Sequence, residues 1–211
     1  MSRLSARPGE SEWHDPWTEI VLEGGTRPLR LLVSGWAAHV RALADGRRQI
    51  VRILIPGDLC GASRYSSAST RLVTMALTRA HTVGQDDVAG APGAGRLSAL
   101  RAEADAREHA GLVDQVVRLG RMSAYERTAH LLLELFDRQS RAGLTQGVSM
   151  PLPISQETLA DALGLSIVHT NRVLQQLRRE GLIVLRAGRV TFPNKEALRN
   201  LCGYVAVADD D

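Results

Sequence analysis

The stretch Ile154–Pro193 (ISQETLADALGLSIVHTNRVLQQLRREGLIVLRAGRVTFP) is compatible with very few folds. Ser155 precedes Gln156-Glu157-Thr158, where its hydroxyl can accept from an orphan N–H of a first helical turn. Leu159, Ala162 and Leu163 then share one helical face. Gly164 ends that helix, because glycine takes the left-handed C-terminal conformation without steric cost. After Leu165, Ser166 caps a second helix with Val173, Leu174 and Leu177 inward and Arg172, Arg178 and Arg179 outward; Gly181 closes it. Two capped helices joined by a short glycine turn make a helix-turn-helix, whose second helix enters the major groove of DNA. Leu182–Leu185 and Arg189–Phe192, around Ala187-Gly188, read as a small hairpin, a wing.

Charge supports a nucleic-acid partner without demanding one. The 211-residue chain carries a formal net charge of +3. Ile154–Asn200 holds seven basic residues against four acidic ones, so the excess of the whole chain sits in this head. No apolar run approaches the roughly 20 residues that span a bilayer, and the N-terminus lacks the apolar segment of a secretory signal. A cytoplasmic protein with no membrane partner is expected. Cys60 and Cys202 are too few for a structural zinc site or a four-cysteine cluster, and no cofactor is expected.

Upstream, residues 1–17 read as a flexible polar arm, with Trp13 and Trp17 able to pin its end. Short apolar runs follow at Thr18–Leu22, Leu29–Val33, Trp36–Leu43, Gln49–Ile55 and Arg71–Leu77. Gly24-Gly25, Ser34-Gly35, Ala44-Asp45-Gly46 and Pro56-Gly57-Asp58 separate them. That spacing predicts a β-roll or barrel. Residues 83–96 are a Gly/Ala/Pro connector, so the roll and connector occupy 18–96. Residues 97–121 are a helix with Leu112, Val116 and Leu119 on one face. Another helix over 122–141 starts with a capping box, Ser123 and Glu126, and buries Ala129, Leu132, Leu133 and Phe136. A loop covers 142–153, the head extends to 200, and 201–211 is a frayed tail.

These motifs together resemble the cyclic AMP receptor protein/fumarate-nitrate reductase regulator superfamily, Crp/Fnr. The similarity is carried by Leu163-Gly164-Leu165-Ser166, Arg172 and Glu180-Gly181-Leu182-Ile183 in the head. In the roll it is carried by Leu22-Glu23-Gly24, Leu32-Val33-Ser34-Gly35-Trp36, Asp45-Gly46-Arg47-Arg48-Gln49-Ile50 and Pro56-Gly57-Asp58-Leu59. Met122-Ser123-Ala124-Tyr125-Glu126-Arg127 resembles the start of the family's DNA-binding domain. The resemblance implies an α+β chain: an N-terminal β-roll of the double-stranded β-helix or jelly-roll type, a long dimerisation helix over 97–121, and a C-terminal winged helix-turn-helix over 122–200. It implies a homodimeric transcription regulator on a palindromic operator, with RNA polymerase as a further partner. In the dimer helix Ala110 and Gly111 would admit a partner helix. The family's nucleotide pocket uses a Gly-Glu pair and an Arg-Ser/Thr-Ala triplet. Leu59-Cys60-Gly61-Ala62-Ser63-Arg64 has neither, so a subgroup that does not bind cyclic AMP is expected.

Arg172, His169, Val168, Ile167 and Asn171 are the expected base contacts. Arg pairs bidentately with guanine, Asn with adenine, and apolar groups meet thymine methyls. Ile167 and Val168 stand where the family's cyclic AMP receptor carries a charged pair, so a different half-site is expected. Ser166, Ser155, Gln156, Arg186 and Arg189 are expected phosphate contacts, which set register. Alternatives are an effector-independent DNA-binding regulator, a haem or redox sensor acting at Cys60, and a cupin-type metal enzyme using His39 and His81. The last lacks a His-x-His with a partnering Glu.

Overall fold

The computed structural model describes residues 11–21, 30–60, 72–84 and 94–205. It divides into two compact units, Met1–Asp114 and Gln115–Asp211. The Gly24-Gly25 turn, Arg64, Arg71, most of the connector and the end of the tail lie outside the described residues.

Among the described residues, the first unit holds two sheets. One orders β1 (Glu12–His14), β7 (Ala80–Gly84), β2 (Arg30–Ser34) and β5 (Leu59–Cys60); the other orders β4 (Arg48–Leu54), β3 (Ala37–Ala42) and β6 (Leu72–Ala76). Both supply one apolar cluster: Leu32, Cys60 and Ala80 from the first sheet, Ala37, Leu54 and Ala76 from the second, with Ile20. Ile50 and Ile53 of β4 are both buried although three residues apart, a spacing that puts side chains on opposite faces of a regular strand. A bulge resolves this: His39 pairs with Arg52 and Val40 with Ile50, leaving Val51 as the extra residue. Gly35 is fixed by contact as well as conformation. Its φ is +79°, and a Cβ there would lie 2.3 Å from the Arg79 carbonyl oxygen.

Three expectations for this unit need correction. Residues 12–14 are not a flexible arm: they pair with β7, and buried His14 lies 2.9 Å from the Thr82 hydroxyl. Trp13 stacks on His81 at 4.7 Å, and Arg48 lies 4.3 Å above the Trp17 ring. Thr18–Val21, the described part of the first expected strand, runs beside β6 without forming a regular strand: Glu19 bridges Met75, Ile20 N donates to Thr74 O at 2.8 Å, and Ala76 N donates to Thr18 O at 2.9 Å. The supposed connector begins as strand β7, which runs to Gly84.

Helix α1 spans Ala94–Arg121 and passes from one unit into the other. The second unit continues with α2 (Ala124–Arg141), β8 (Ser149–Pro151), α3 (Gln156–Leu163), α4 (Ile167–Arg179), β9 (Val184–Arg186), β10 (Arg189–Thr191) and α5 (Lys195–Cys202). The capping box on α2 is complete: Ser123 Oγ accepts from Glu126 N at 3.3 Å, and Glu126 Oε2 accepts from Ser123 N at 2.7 Å. Ala129, Leu132, Leu133 and Phe136 are buried as expected, and Phe136 meets Phe192 edge-on at 5.2 Å. The wing is a three-stranded sheet, β8-β10-β9; the region 142–153 is therefore not all loop. Its tip places both Ala187 (φ 48°) and Gly188 (φ 69°) in the left-handed region, as a two-residue hairpin of matching twist requires. The start of the tail is ordered into the head. Leu201 and Cys202 finish α5, which Asn194 caps and Gly203 ends, and buried Tyr204 meets His130 edge-on at 4.9 Å.

Candidate nucleic-acid interface

The turn between α3 and α4 is built by caps. Ser155 Oγ accepts from Thr158 N at 3.1 Å, and Ser166 Oγ accepts from His169 N at 3.2 Å. Gly164 sits at φ 63°, ψ 37°. The last carbonyls of a helix have no partner inside it. Here Ala162 O accepts from Gln115 Nε2 at 2.9 Å and Leu163 O from Arg127 Nη1 at 3.0 Å. Arg127 also donates to Met122 O at 2.9 Å, so one guanidinium ties the end of α1 to the turn.

Thr170, Val173, Leu174 and Leu177 form the buried side of α4. The opposite side carries Ile167, Val168, His169, Asn171 and Arg172, all exposed, so the five expected base contacts share one outward surface. Among the described residues, the Arg172 side chain makes no hydrogen bond or ion pair. Gln175, Arg178 and Arg179 continue the surface toward the C-terminus and extend it beyond the expected residues. Ser155, Gln156, Ser166 and Arg186 are exposed too. Both serine oxygens accept as caps, leaving their O–H groups able to donate. Arg189 differs: it is half-buried and donates to Ser149 Oγ at 3.2 Å and Ser149 O at 3.3 Å, bracing β10 against β8. Tyr125 donates a short hydrogen bond to Glu180, and this, with Gln176, holds the Glu180 carboxyl below its ordinary range.

Among the described side chains of α1, the exposed large apolar ones are Val113, Val116 and Val117. Of the expected dimer residues, Val116 is on this stripe, whereas Leu112 and Leu119 are half-buried. Gly111 faces its own roll: a Cβ there would lie 2.2 Å from Arg52 Nη1.

The residues of the alternative readings have other employment. His39 Nδ1 lies 3.2 Å from Thr74 Oγ1 in one sheet, while His81 is in the other sheet and stacks there on Trp13. Cys60 is wholly buried, and burial pushes its thiol up to about 12, which disfavours the reactive thiolate. No described helix is long and apolar enough to cross a membrane.

Residues 126–201 match the Crp-like helix-turn-helix domain. The chain is 32% identical over 191 residues to the nitrogen fixation regulation protein FixK of Rhizobium meliloti, a match covering 90% of this chain and 85% of that protein. The solved structure of FixK2 from Bradyrhizobium japonicum covers 94% of this chain and 99% of its own at 29% identity, with a TM-score of 0.76. A CRP-family transcriptional regulator from Thermus thermophilus gives 26% identity and a TM-score of 0.69, covering 94% of this chain and 100% of its own. With its helix-turn-helix and wing inside the matched domain and a relative 32% identical over 90% of its length, the chain belongs to the Crp/Fnr family of DNA-binding transcription regulators.

Proposed function

We propose that the chain works as a homodimer that reads a palindromic operator with two copies of α4. The observation that carries this is the outward surface of α4: five side chains of base-reading type, with Arg172 unpartnered among the described residues and flanked by Arg178 and Arg179. Arg172 pairs with guanine O6 and N7, Asn171 and His169 lie beside it, and the Ser155, Gln156, Ser166 and Arg186 side chains hold phosphates. Arg189 belongs to the wing's internal bracing, so Arg186 carries the wing's phosphate contact. The partner helix packs on Val113, Val116 and Val117. RNA polymerase is a further partner of the bound dimer. The protein acts where chromosomal DNA lies, in the cytoplasm, and its role includes no catalytic step.

The cleft of the first unit supports regulation without cyclic AMP. It is lined by Leu31, His39, Arg52, Leu54, Asp58 and Glu108 among others. Arg52 donates to Arg107 O at 3.1 Å, and Asp58 accepts from Ile55 N at 2.8 Å. Three carboxylates, Asp58, Glu103 and Glu108, line the cleft against two guanidinium groups, Arg52 and Arg107, a balance that opposes a phosphate.

Selection of bound sequences from random DNA supplies the operator. Arg172→Ala then loses discrimination between that operator and a scrambled duplex in gel-shift titration, while salt-sensitive nonspecific binding persists. Equal loss on both duplexes removes Arg172 from base reading. Adding cyclic AMP leaves the wild-type titration unchanged.

A further inference from the structure

Two β-branched residues open α4, and both face solvent. Ile167 is 50% exposed and Val168 is 70% exposed. Neither choice favours the helix: β-branched side chains are stiff in helices and weaker helix formers than Ala or Glu. Electrostatics would place an acid here, at the positive end of the helix dipole. The other helices of this unit with described N-terminal caps follow that rule, with Glu126 in α2, Glu157 in α3 and Glu196 in α5. The first turn of α4 has none. An acid there would repel phosphates, which explains its absence. It does not explain why apolar groups take its place.

Position along the helix narrows the explanation. Val168, Arg172, Gln175 and Arg179 lie on one line opposite the buried Thr170, Val173, Leu174 and Leu177. Val168 stands one helical turn before Arg172, about 6 Å along the axis. Base steps are about 3.4 Å apart, so the group facing Val168 lies one or two steps from the one facing Arg172. On the base edges of the major groove, the C5 methyl of thymine is the apolar partner available.

Resting on the reading of α4 as the recognition helix, we propose that Val168 reads the C5 methyl of a pyrimidine one or two steps from the guanine bound by Arg172. The contact is apolar, so it does not distinguish the O4 of thymine from the N4 amino group of cytosine. Val168 therefore accepts 5-methylcytosine as it accepts thymine, and cytosine methylation at that position strengthens binding.

The test uses the full-length protein and the operator selected by it. Each thymine near the guanine is replaced singly by deoxyuridine, which removes only the methyl. At the Val168 position affinity falls about fourfold per half-site, the effect of exposing one buried methyl-sized group. A cytosine at that position binds more tightly when methylated at C5, by a similar factor. Val168→Ala, a truncation at an exposed site, binds thymine and deoxyuridine duplexes equally and ignores the cytosine methyl. No deoxyuridine effect at any position overturns the proposal, as does a Val168→Ala loss of the same size on both duplexes, which marks packing on sugar. If Ile167→Ala abolishes the methyl effect and Val168→Ala does not, the assignment to Val168 is overturned. A protein that selects no sequence at all fails at the recognition-helix reading, whereas specific binding that depends on Arg172 but ignores the methyl sinks this proposal alone.

Discussion

Gln115, on the last two turns of α1, donates its side-chain amide to the carbonyl of Ala162 at the end of α3, 2.9 Å away and buried. The bond places the end of α1 inside the DNA-binding unit, whereas the sequence motifs start that unit at residue 122. Gln115→Ala removes two buried hydrogen bonds, the one to the Ala162 carbonyl and the one from the Arg118 guanidinium, and costs roughly 1–3 kcal/mol of stability. Gln115→Glu loses the first but keeps a charged acceptor for Arg118, so it costs less. Urea unfolding of both variants against wild type checks the order; a larger loss from Gln115→Glu would mean that repulsion from the end of α3 outweighs the pairing with Arg118.

Arg118, three residues on, is 2% exposed and is held by Glu134, Gln115 and His130. Glu134 is its acidic partner among the described residues, but Glu134 also pairs with Arg138 at 3.2 Å. Removing the two partners is therefore unequal. Glu134→Ala leaves a buried guanidinium without its counter-charge and costs about 3–5 kcal/mol. Arg118→Met fills much of the volume and leaves Glu134 its second cation, so it costs less. Denaturant midpoints for the two variants test this asymmetry, and a larger loss from Arg118→Met would overturn it.

The head is readable from sequence because its signals are local. Ser123 with Glu126, Ser155, Gly164, Ser166 and Gly181 each decide a cap within a few residues, and the structure places helix ends there. Helix α5 carries the same kind of signal, Asn194 before it and Gly203 after it, but the acidic tail beside it masks the pattern. Strands β1, β5, β7 and β8 are not readable. They have two to five residues each, and their pairing depends on partners distant in the chain. Two contacts made by site residues follow from that. Arg189 is bound by Ser149, which matters only once β8 lies beside β10. Gly111 accommodates Arg52, which the bulged β4 brings to α1. The outward surface of α4 is legible because helical period alone separates it from Val173, Leu174 and Leu177.

The stripe on α1 leads to a prediction about assembly. Val116 is 71% exposed, so replacing it disturbs the fold of one chain little. In a homodimer joined through Val113, Val116 and Val117, Val116→Glu brings two carboxylates together in an apolar contact and shifts the protein to monomer. Sedimentation velocity at micromolar concentration shows the change, and affinity for the two-half-site operator falls with it. A dimer unaffected by Val116→Glu places the interface elsewhere.

His39 gives the first unit a specific acid sensitivity. Burial, reinforced by the Arg52 cation and opposed by Asp58, pushes its imidazole from 6.5 down to about 4. Glu108 Oε1, 3.6 Å from Nε2, favours the charged ring, but burial outweighs it and the ring is neutral in the folded chain at pH 7, with Thr74 Oγ1 3.2 Å from Nδ1. Between pH 6.5 and about 4 the unfolded chain takes up a proton that the folded chain refuses. This contribution is fully present above pH 6.5, declines as pH falls through that window, and is fully lost once pH drops below about 4. His39→Gln cannot titrate and keeps a polar group toward Thr74. Its stability, measured by urea unfolding from about pH 7.5 to about 4.5, therefore declines less steeply than that of wild type. Parallel declines would assign the acid sensitivity to the carboxylates instead.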